Sequence, residues 1–271
     1  MIGFIGGGNM AEALIKGIVK SAEFGVRSKE VLVSEPIEDR RKYLGQAYGI
    51  RTTVSNREVA SSCNIIILAV KPQDMDKVLD EIADLITDEK TMVSIAAGIT
   101  FSYLQKKLNT KKLIRVMPNT PAVIQEGMSV ISLCECFSGR DMSTVREIFM
   151  SVGKVITLPE KYMNAVTALS GSGPAFIAFF IEAMVEGGVN MGLQRDDALT
   201  LAVQTSLGAS KLLDGGMSPL KLRETVTSPG GTTAEGLRVF ENRGLKGIVV
   251  DAIEAATKRA EELGKTVDSK Q

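Results

Sequence analysis

Histidine is absent from this 271-residue chain. Proton-transfer chemistry therefore falls to another group, or to a substrate that arrives already protonated. Cysteine is scarce: Cys63, Cys134 and Cys136 make an odd count, which argues against a disulfide framework. Cys134-x-Cys136 has the spacing of half a metal clip, but no second pair and no histidine complete it. A strand or strand edge beside Leu133 and Phe137 is the reading taken, and no metal is expected. A charge of one sign is also missing, since 32 basic residues balance 32 acidic ones. Nucleic acid and anionic membrane surfaces are thus not expected partners. The longest apolar runs, residues 65–70 and 175–181, fall short of the roughly 18 residues that a membrane span needs. A hydrophobic strand opens at the first residues, so no secretory leader is expected and the expected compartment is the cytoplasm.

What is present suits a soluble globular chain of one large or two modest domains: 44% hydrophobic and 24% charged residues leave enough for a substantial core. Short β-branched runs alternate with helical periodicity in the first half, the pattern of a mostly parallel, doubly wound sheet. Strands are expected over residues 2–5, 31–34, 65–70, 91–95 and 113–117, with a weaker one near 50–52. Helices are expected over 9–21, 37–48, 75–86 and 101–108. A strand at 129–134, a helix at 141–151 and a strand at 154–157 complete this half, and Leu158-Pro159-Glu160 reads as its boundary. The expected domains are therefore 1–160, built on the sheet, and 161–271, all-helical.

Strand signals vanish beyond Tyr162. Ala, Leu, Met and Gly recur at helical spacing, with Pro174 placed for a first helical turn, and further helices are expected over 195–213, 218–226, 233–241 and 245–263. These helices are more apolar than a unit of this size needs for its own interior, so a two-fold subunit interface is expected.

Gly3-Phe4-Ile5-Gly6-Gly7-Gly8-Asn9-Met10-Ala11 follows a strand and opens a helix, and Gly6-x-Gly8-x-x-Ala11 fits the dinucleotide fingerprint. Gly6 serves the tight turn, Gly8 the approach of the pyrophosphate, and Ala11 the close packing of helix on sheet. The second strand ends at Ser34-Glu35-Pro36, where two readings stay open. Glu35 can accept from the ribose hydroxyls of NAD, or Ser34 with Arg40 or Arg41 can hold the 2′-phosphate of NADP. Other strand ends aim at the same crevice: Ala69-Val70-Lys71-Pro72, Ala96-Ala97-Gly98, and Met117-Pro118-Asn119-Thr120-Pro121. Lys71 is either a surface cation or a phosphate or ribose donor, and Asn119 and Thr120 suit the nicotinamide amide. The cofactor-binding set is Gly6, Gly7, Gly8, Asn9, Met10, Ser34, Glu35, Asn56, Ala69, Val70, Lys71, Pro72, Ala97, Gly98, Asn119 and Thr120.

A second anion site is expected at Ser228-Pro229-Gly230-Gly231-Thr232-Thr233. Pro229 cannot continue a hydrogen-bonded helix, and the two glycines let a ligand approach the main chain. Thr232 stands three residues before Glu235, the spacing of a capping box, which makes Thr232 the expected N-cap and Thr233 the first helical residue. Bare N–H groups at such a helix start bind a carboxylate.

These motifs, with Leu169-Ser170-Gly171-Ser172-Gly173-Pro174-Ala175, occur in an order that closely resembles the Δ1-pyrroline-5-carboxylate reductases, over essentially the whole chain. The resemblance implies reduction of 1-pyrroline-5-carboxylate to L-proline with NADPH or NADH, in the last step of proline biosynthesis. It also implies a Rossmann domain joined to a helical dimerisation domain, in dimers that often assemble into rings. Many members carry no carboxylate after the second strand, whereas Glu35 stands here. The expected substrate-binding residues are Ser228, Gly230, Gly231, Thr232 and Thr233, with the carboxylate on N–H groups around Gly230, Gly231 and Thr232. Thr233, the catalytic candidate, offers its hydroxyl to the ring nitrogen. A protonated iminium is already electrophilic, so a site without histidine suits this reaction. Two rivals, a β-hydroxyacid dehydrogenase and a nucleotide-sensing scaffold, are less well matched: residues 171–180 offer apolar side chains where alcohol oxidation needs a lysine and an asparagine.

Overall fold

The computed structural model describes residues 1–20, 27–134 and 141–269. By contact density the chain divides into two compact units, Met1–Ser172 together with Ala256–Gln271, and Gly173–Ala255.

Among the described residues, the first unit is built on eight strands: β1 (Ile2–Ile5), β2 (Val31–Ser34), β3 (Arg51–Thr53), β4 (Ile65–Leu68), β5 (Thr91–Ser94), β6 (Leu113–Met117), β7 (Gly127–Leu133) and β8 (Gly153–Thr157). They lie in the order β3-β2-β1-β4-β5-β6-β7-β8. All neighbours pair in parallel except β6 and β7, which run antiparallel. The helices between them are α1 (Asn9–Lys20), α2 (Glu38–Tyr48), α3 (Asn56–Ser62), α4 (Met75–Ile82), α5 (Phe101–Lys107) and α6 (Asp141–Met150), and the short α7 (Met163–Val166) follows β8.

Central strands buried on both faces explain the continuous apolar runs. Alternate residues feed two cores: Phe4, Val33 and Ile67 pack with Leu14 and Ile18 of α1 and Phe149 of α6. Ile5, Leu32 and Ile66 pack with Val59 of α3, Leu79 of α4 and Leu104 of α5. Helices thus cover both sides of a doubly wound sheet, as expected. Strand order reverses between β1 and β4, and ligands of open α/β sheets bind at that switch point, beyond the strand ends.

Several elements differ from expectation. No helix is expected between residues 52 and 65, yet α3 forms there, and the Ser55 side chain accepts from the Glu58 N–H at its start. The helix expected over 75–86 closes at Ile82 and continues as a 3₁₀ turn, Ala83–Leu85. Cys134 lies just past β7, buried, with the Gln105 amide 3.2 Å from its sulfur. Cys136, and the last residue of the helix expected over 9–21, lie outside the described residues.

The second unit contains α8 (Gly173–Asn190), α9 (Arg195–Asp214), α10 (Pro219–Thr225), α11 (Thr232–Asn242) and the start of α12 (Leu245–Ser269). Its buried core is small, formed by Val185, Ala198 and Ala202 with Ile181 against them. Large apolar side chains stand outside it, among them Phe179 at 74% exposure, Ile177, Leu201, Ile248 and Val250. Residues Glu160–Asn190 run as consecutive helical turns, long and apolar enough by length and composition to cross a membrane. The short apolar runs of the sequence understate this stretch, because isolated acidic and small residues break the runs without breaking the helix.

Candidate active site

The glycine-rich turn joins β1 to α1 at the switch point. Gly6 has φ 97°, and its N–H donates to the Ser34 carbonyl at 2.9 Å. A Cβ there would stand 2.8 Å from the Ala69 carbonyl oxygen, so sterics and backbone angle both require glycine. Gly8 differs: a Cβ on it would meet nothing within 4 Å, which leaves room for a ligand to reach the main chain. The first intrahelical bond of α1 runs from the Glu12 N–H to the Gly8 carbonyl at 2.9 Å, so Asn9 and Met10 open the helix with N–H groups free of intrahelical acceptors. An open glycine before bare helix donors fits a pyrophosphate.

Gly7 is held on both sides. Its N–H donates to Glu35 Oε2 at 2.9 Å, and its carbonyl accepts from Arg40 Nε at 2.7 Å. Arg40 pairs in turn with Glu12 at 2.6 Å. Tyr43 and Tyr48 donate their hydroxyls to the other Glu12 oxygen at 2.8 and 2.7 Å. Burial pushes the Glu12 carboxyl up, but the hydrogen bonds from Tyr48, Tyr43 and Arg40 outweigh it and hold the group below the ordinary carboxylate value. Burial beside this carboxylate pushes the Tyr48 phenol well above its usual range.

Beside the turn lies a cavity of about 390 Å³, walled by Gly6, Ser34, Pro36, Asn56, Val70, Lys77 and Glu81 among others. Ser34 donates to Asn56 Oδ1 at 2.7 Å, and Asn56 Nδ2 donates to Glu81 at 2.8 Å. Five expected cofactor residues, Gly6, Ser34, Asn56, Val70 and the adjoining Ala69, therefore meet at one place. Lys77 and Glu81 are additions. They sit one turn apart on α4, away from its buried Met75, Val78, Leu79 and Ile82, and helical periodicity alone could have marked that polar edge.

Three expected contacts look different in the structure. Glu35 is nearly buried, and its other oxygen accepts from the Ile37 N–H at 3.0 Å. Arg41 donates to the carbonyls of Glu35 and Pro36 at 2.7 Å, and Arg40 is engaged as above. The Asn119 amide ties backbone together: its oxygen accepts from the Met128 N–H at 2.8 Å, and its nitrogen donates to Ser170 at 3.2 Å. Ser170 lies in a single π-helical segment, Thr167–Gly171, and such segments cluster at functional sites. Lys71 and Thr120 are exposed, Pro72 opens a 3₁₀ turn, and Ala97 and Gly98 are half-buried.

In the second unit, α10 ends at Thr225 and the chain turns through Gly230, at φ 68°. The Gly231 N–H closes this turn on the Ser228 carbonyl at 3.0 Å. The N-cap of α11 is Gly231, with no side chain bonded to the helix start. This corrects the expected cap: Thr232 is the first helical residue, Thr233 the second, and Glu235 pairs with Arg238 at 2.6 Å instead of closing a capping box. No hydroxyl bonded to the helix start therefore competes with a ligand for the end of α11. With the Gly231 N–H spent in the turn, the donors at this end are those of Thr232, Thr233 and Ala234.

Comparison with known proteins agrees with this geometry. A family model described as "NADP oxidoreductase coenzyme F420-dependent" matches residues 1–98, and one described as "Pyrroline-5-carboxylate reductase dimerisation" matches residues 160–263. Fold and site together define a nicotinamide-dinucleotide oxidoreductase, with a Rossmann domain followed by an all-α dimerisation domain. The chain is 40% identical to a pyrroline-5-carboxylate reductase of Synechocystis sp., over 97% of this chain and 98% of that one. It is 42% identical to one of Methanosarcina acetivorans, over 97% and 98% respectively. A solved pyrroline-5-carboxylate reductase of Coxiella burnetii superposes with a TM-score of 0.90 at 34% identity, covering 97% of each chain. One of Plasmodium falciparum, with NADP bound, gives 0.84 at 32% identity, again over 97% of each.

The chain belongs to the pyrroline-5-carboxylate reductase family. It reduces 1-pyrroline-5-carboxylate to L-proline by hydride transfer from NAD(P)H, in the last step of proline biosynthesis. Its helical segment is a dimerisation domain, so the chain forms homo-oligomers. That accounts for the apolar exposure of α8, which falls inside the matched segment.

Proposed function

We propose the following assignment of the reaction to residues. The substrate carboxylate sits on the N–H groups that open α11, which carry the positive end of the helix dipole. The protonated ring nitrogen donates to the Thr233 hydroxyl. NAD(P)H, when bound, supplies the hydride that the imine carbon accepts. The nitrogen keeps its proton and becomes an amine, so no side-chain acid is needed during the attack. Holding the carboxylate and the nitrogen together fixes the ring, and most of the rate gain comes from that orientation. The observation that carries this reading is the uncapped start of α11 behind the Gly230 turn.

Coenzyme binding follows from the same chemistry. The Asn9 and Met10 N–H groups take the pyrophosphate, and the cavity beside Ser34 and Asn56 takes the adenosine ribose. NADPH is accepted alongside NADH, because both Glu35 carboxylate oxygens accept from backbone N–H groups of the protein instead of pointing at a 2′-phosphate. Residues 1–160 form the dinucleotide-binding domain and 161–271 the substrate-binding and dimerisation domain. The assembly is a homodimer that builds into a larger ring, and the enzyme works in the cytoplasm.

Thr233→Ala tests the assignment. Losing one hydrogen bond to a charged group should lower kcat/KM by about 10- to 30-fold, with coenzyme affinity unchanged. An unaltered kcat/KM removes Thr233 from the reaction.

A further inference from the structure

Three consecutive glycines, Gly6-Gly7-Gly8, make a turn with more conformational freedom than any other tripeptide of this chain's composition. A coenzyme that had to order such a turn on arrival would lose affinity to that ordering. Here the protein's own side chains hold the middle glycine. Glu35 takes its N–H, Arg40 takes its carbonyl, and Glu12 anchors Arg40. The second Glu35 oxygen takes the Ile37 N–H at the N-cap of α2, the helix that carries Arg40. One carboxylate therefore joins the turn to the helix that grips its other side. The fit is close: a Cβ on Gly7 would lie 2.8 Å from the Leu44 Cδ1 and 3.2 Å from Glu35 Oε2.

We propose that Glu35 and Arg40 are positioning residues that act on the coenzyme through Gly7, and that neither reads the 2′ position of the adenosine ribose. An acidic residue at this strand end ordinarily accepts from the ribose hydroxyls and selects NADH. In this chain the carboxylate is buried and each of its oxygens already accepts a backbone N–H of the protein. Discrimination between the two coenzymes falls instead to Ser34, Asn56, Lys77 and Glu81, which wall the neighbouring cavity. The proposal rests on the turn being the pyrophosphate site.

The test uses the full-length enzyme and three variants, Glu35→Ala, Glu35→Gln and Gly8→Ala, each with NADPH and with NADH. Coenzyme Kd is read from nicotinamide fluorescence, and kcat and KM from coenzyme oxidation. Glu35→Ala should raise Kd and KM for both coenzymes by the same factor, about tenfold, since a charge-assisted bond is lost. Its effect on kcat should be smaller. Glu35→Gln keeps one acceptor for the Gly7 N–H and should recover part of the loss. In both variants the NADPH-to-NADH ratio of kcat/KM should stay within about twofold of the parent enzyme. A ratio shifted toward NADPH by roughly fivefold or more in Glu35→Gln would show a carboxylate reading the ribose, and would overturn the proposal. So would an unchanged Kd in Glu35→Ala. If Glu35→Ala does not fold, the ratio in Glu35→Gln decides alone. Gly8→Ala has open space around its new methyl and should fold, yet lose affinity for both coenzymes. Normal binding by Gly8→Ala would bring down the pyrophosphate site itself. Lost binding there with an unaffected Glu35→Ala would remove the positioning role alone.

Discussion

Glu12 offers the sharpest stability test, because one carboxylate collects three donors from α2. Its side chain is 21% exposed and that of Arg40 is 24% exposed, so solvent screens the cluster only in part. Hydrogen bonds to a charged group contribute about 1.5–3 kcal/mol each, and screening and non-additivity reduce the sum, so Glu12→Ala should cost about 2–4 kcal/mol. Glu12→Gln keeps the volume and one acceptor and should cost about half as much. The double-mutant cycle of Glu12→Gln with Arg40→Met should return about 1 kcal/mol of coupling. The assay is urea unfolding followed by circular dichroism, at one protein concentration because the chain oligomerises. The sign with pH is set by the folded carboxyl lying below its ordinary value of 4.5. Its contribution is complete above that value and is lost as pH falls through the folded one. Tyr48 acts at the other end: its folded value is raised above 10.0, so its contribution is complete below 10.0 and declines as the unfolded phenol ionises. Coupling below about 0.3 kcal/mol at neutral pH, or coupling that persists undiminished near pH 3, would rule out Glu12 as the anchor of Arg40.

Two further outcomes are expected. Gly6→Ala places a methyl 2.8 Å from the Ala69 carbonyl at φ 97° and should lower stability by about 1–3 kcal/mol while weakening both coenzymes, read by unfolding and by Kd. Phe179→Asp puts a charge on the most exposed aromatic of α8 and should shift the enzyme toward monomer in light scattering, with activity falling in parallel.

The strands and the switch point were legible because buried parallel strands need continuous apolar runs, and β1, β2 and β6 match their expected bounds residue for residue. The missed helix α3 had a local signal, Ser55 three residues ahead of Glu58, which the short apolar content of Asn56–Ser62 did not reinforce. The cap of α11 was misassigned for a related reason. A threonine-to-glutamate spacing defines a capping box only if the threonine lies outside the helix, and the positive φ of Gly230 lets the helix begin one residue sooner.

Glycine spacing, the strand-end motifs and the loop from Ser228 to Thr233 marked a dinucleotide site and an anion-binding helix start, because each reflects a backbone geometry that few residues tolerate, while the reaction and the family followed from the resemblance those motifs carry together. The direction of the Glu35 carboxylate, the grip on both sides of Gly7 and the internal use of Asn119 were decided by the tertiary structure alone. Each depends on partners 28 to 51 residues away in the chain, and a side chain's choice between a ligand and its own backbone is settled only when those partners are in place.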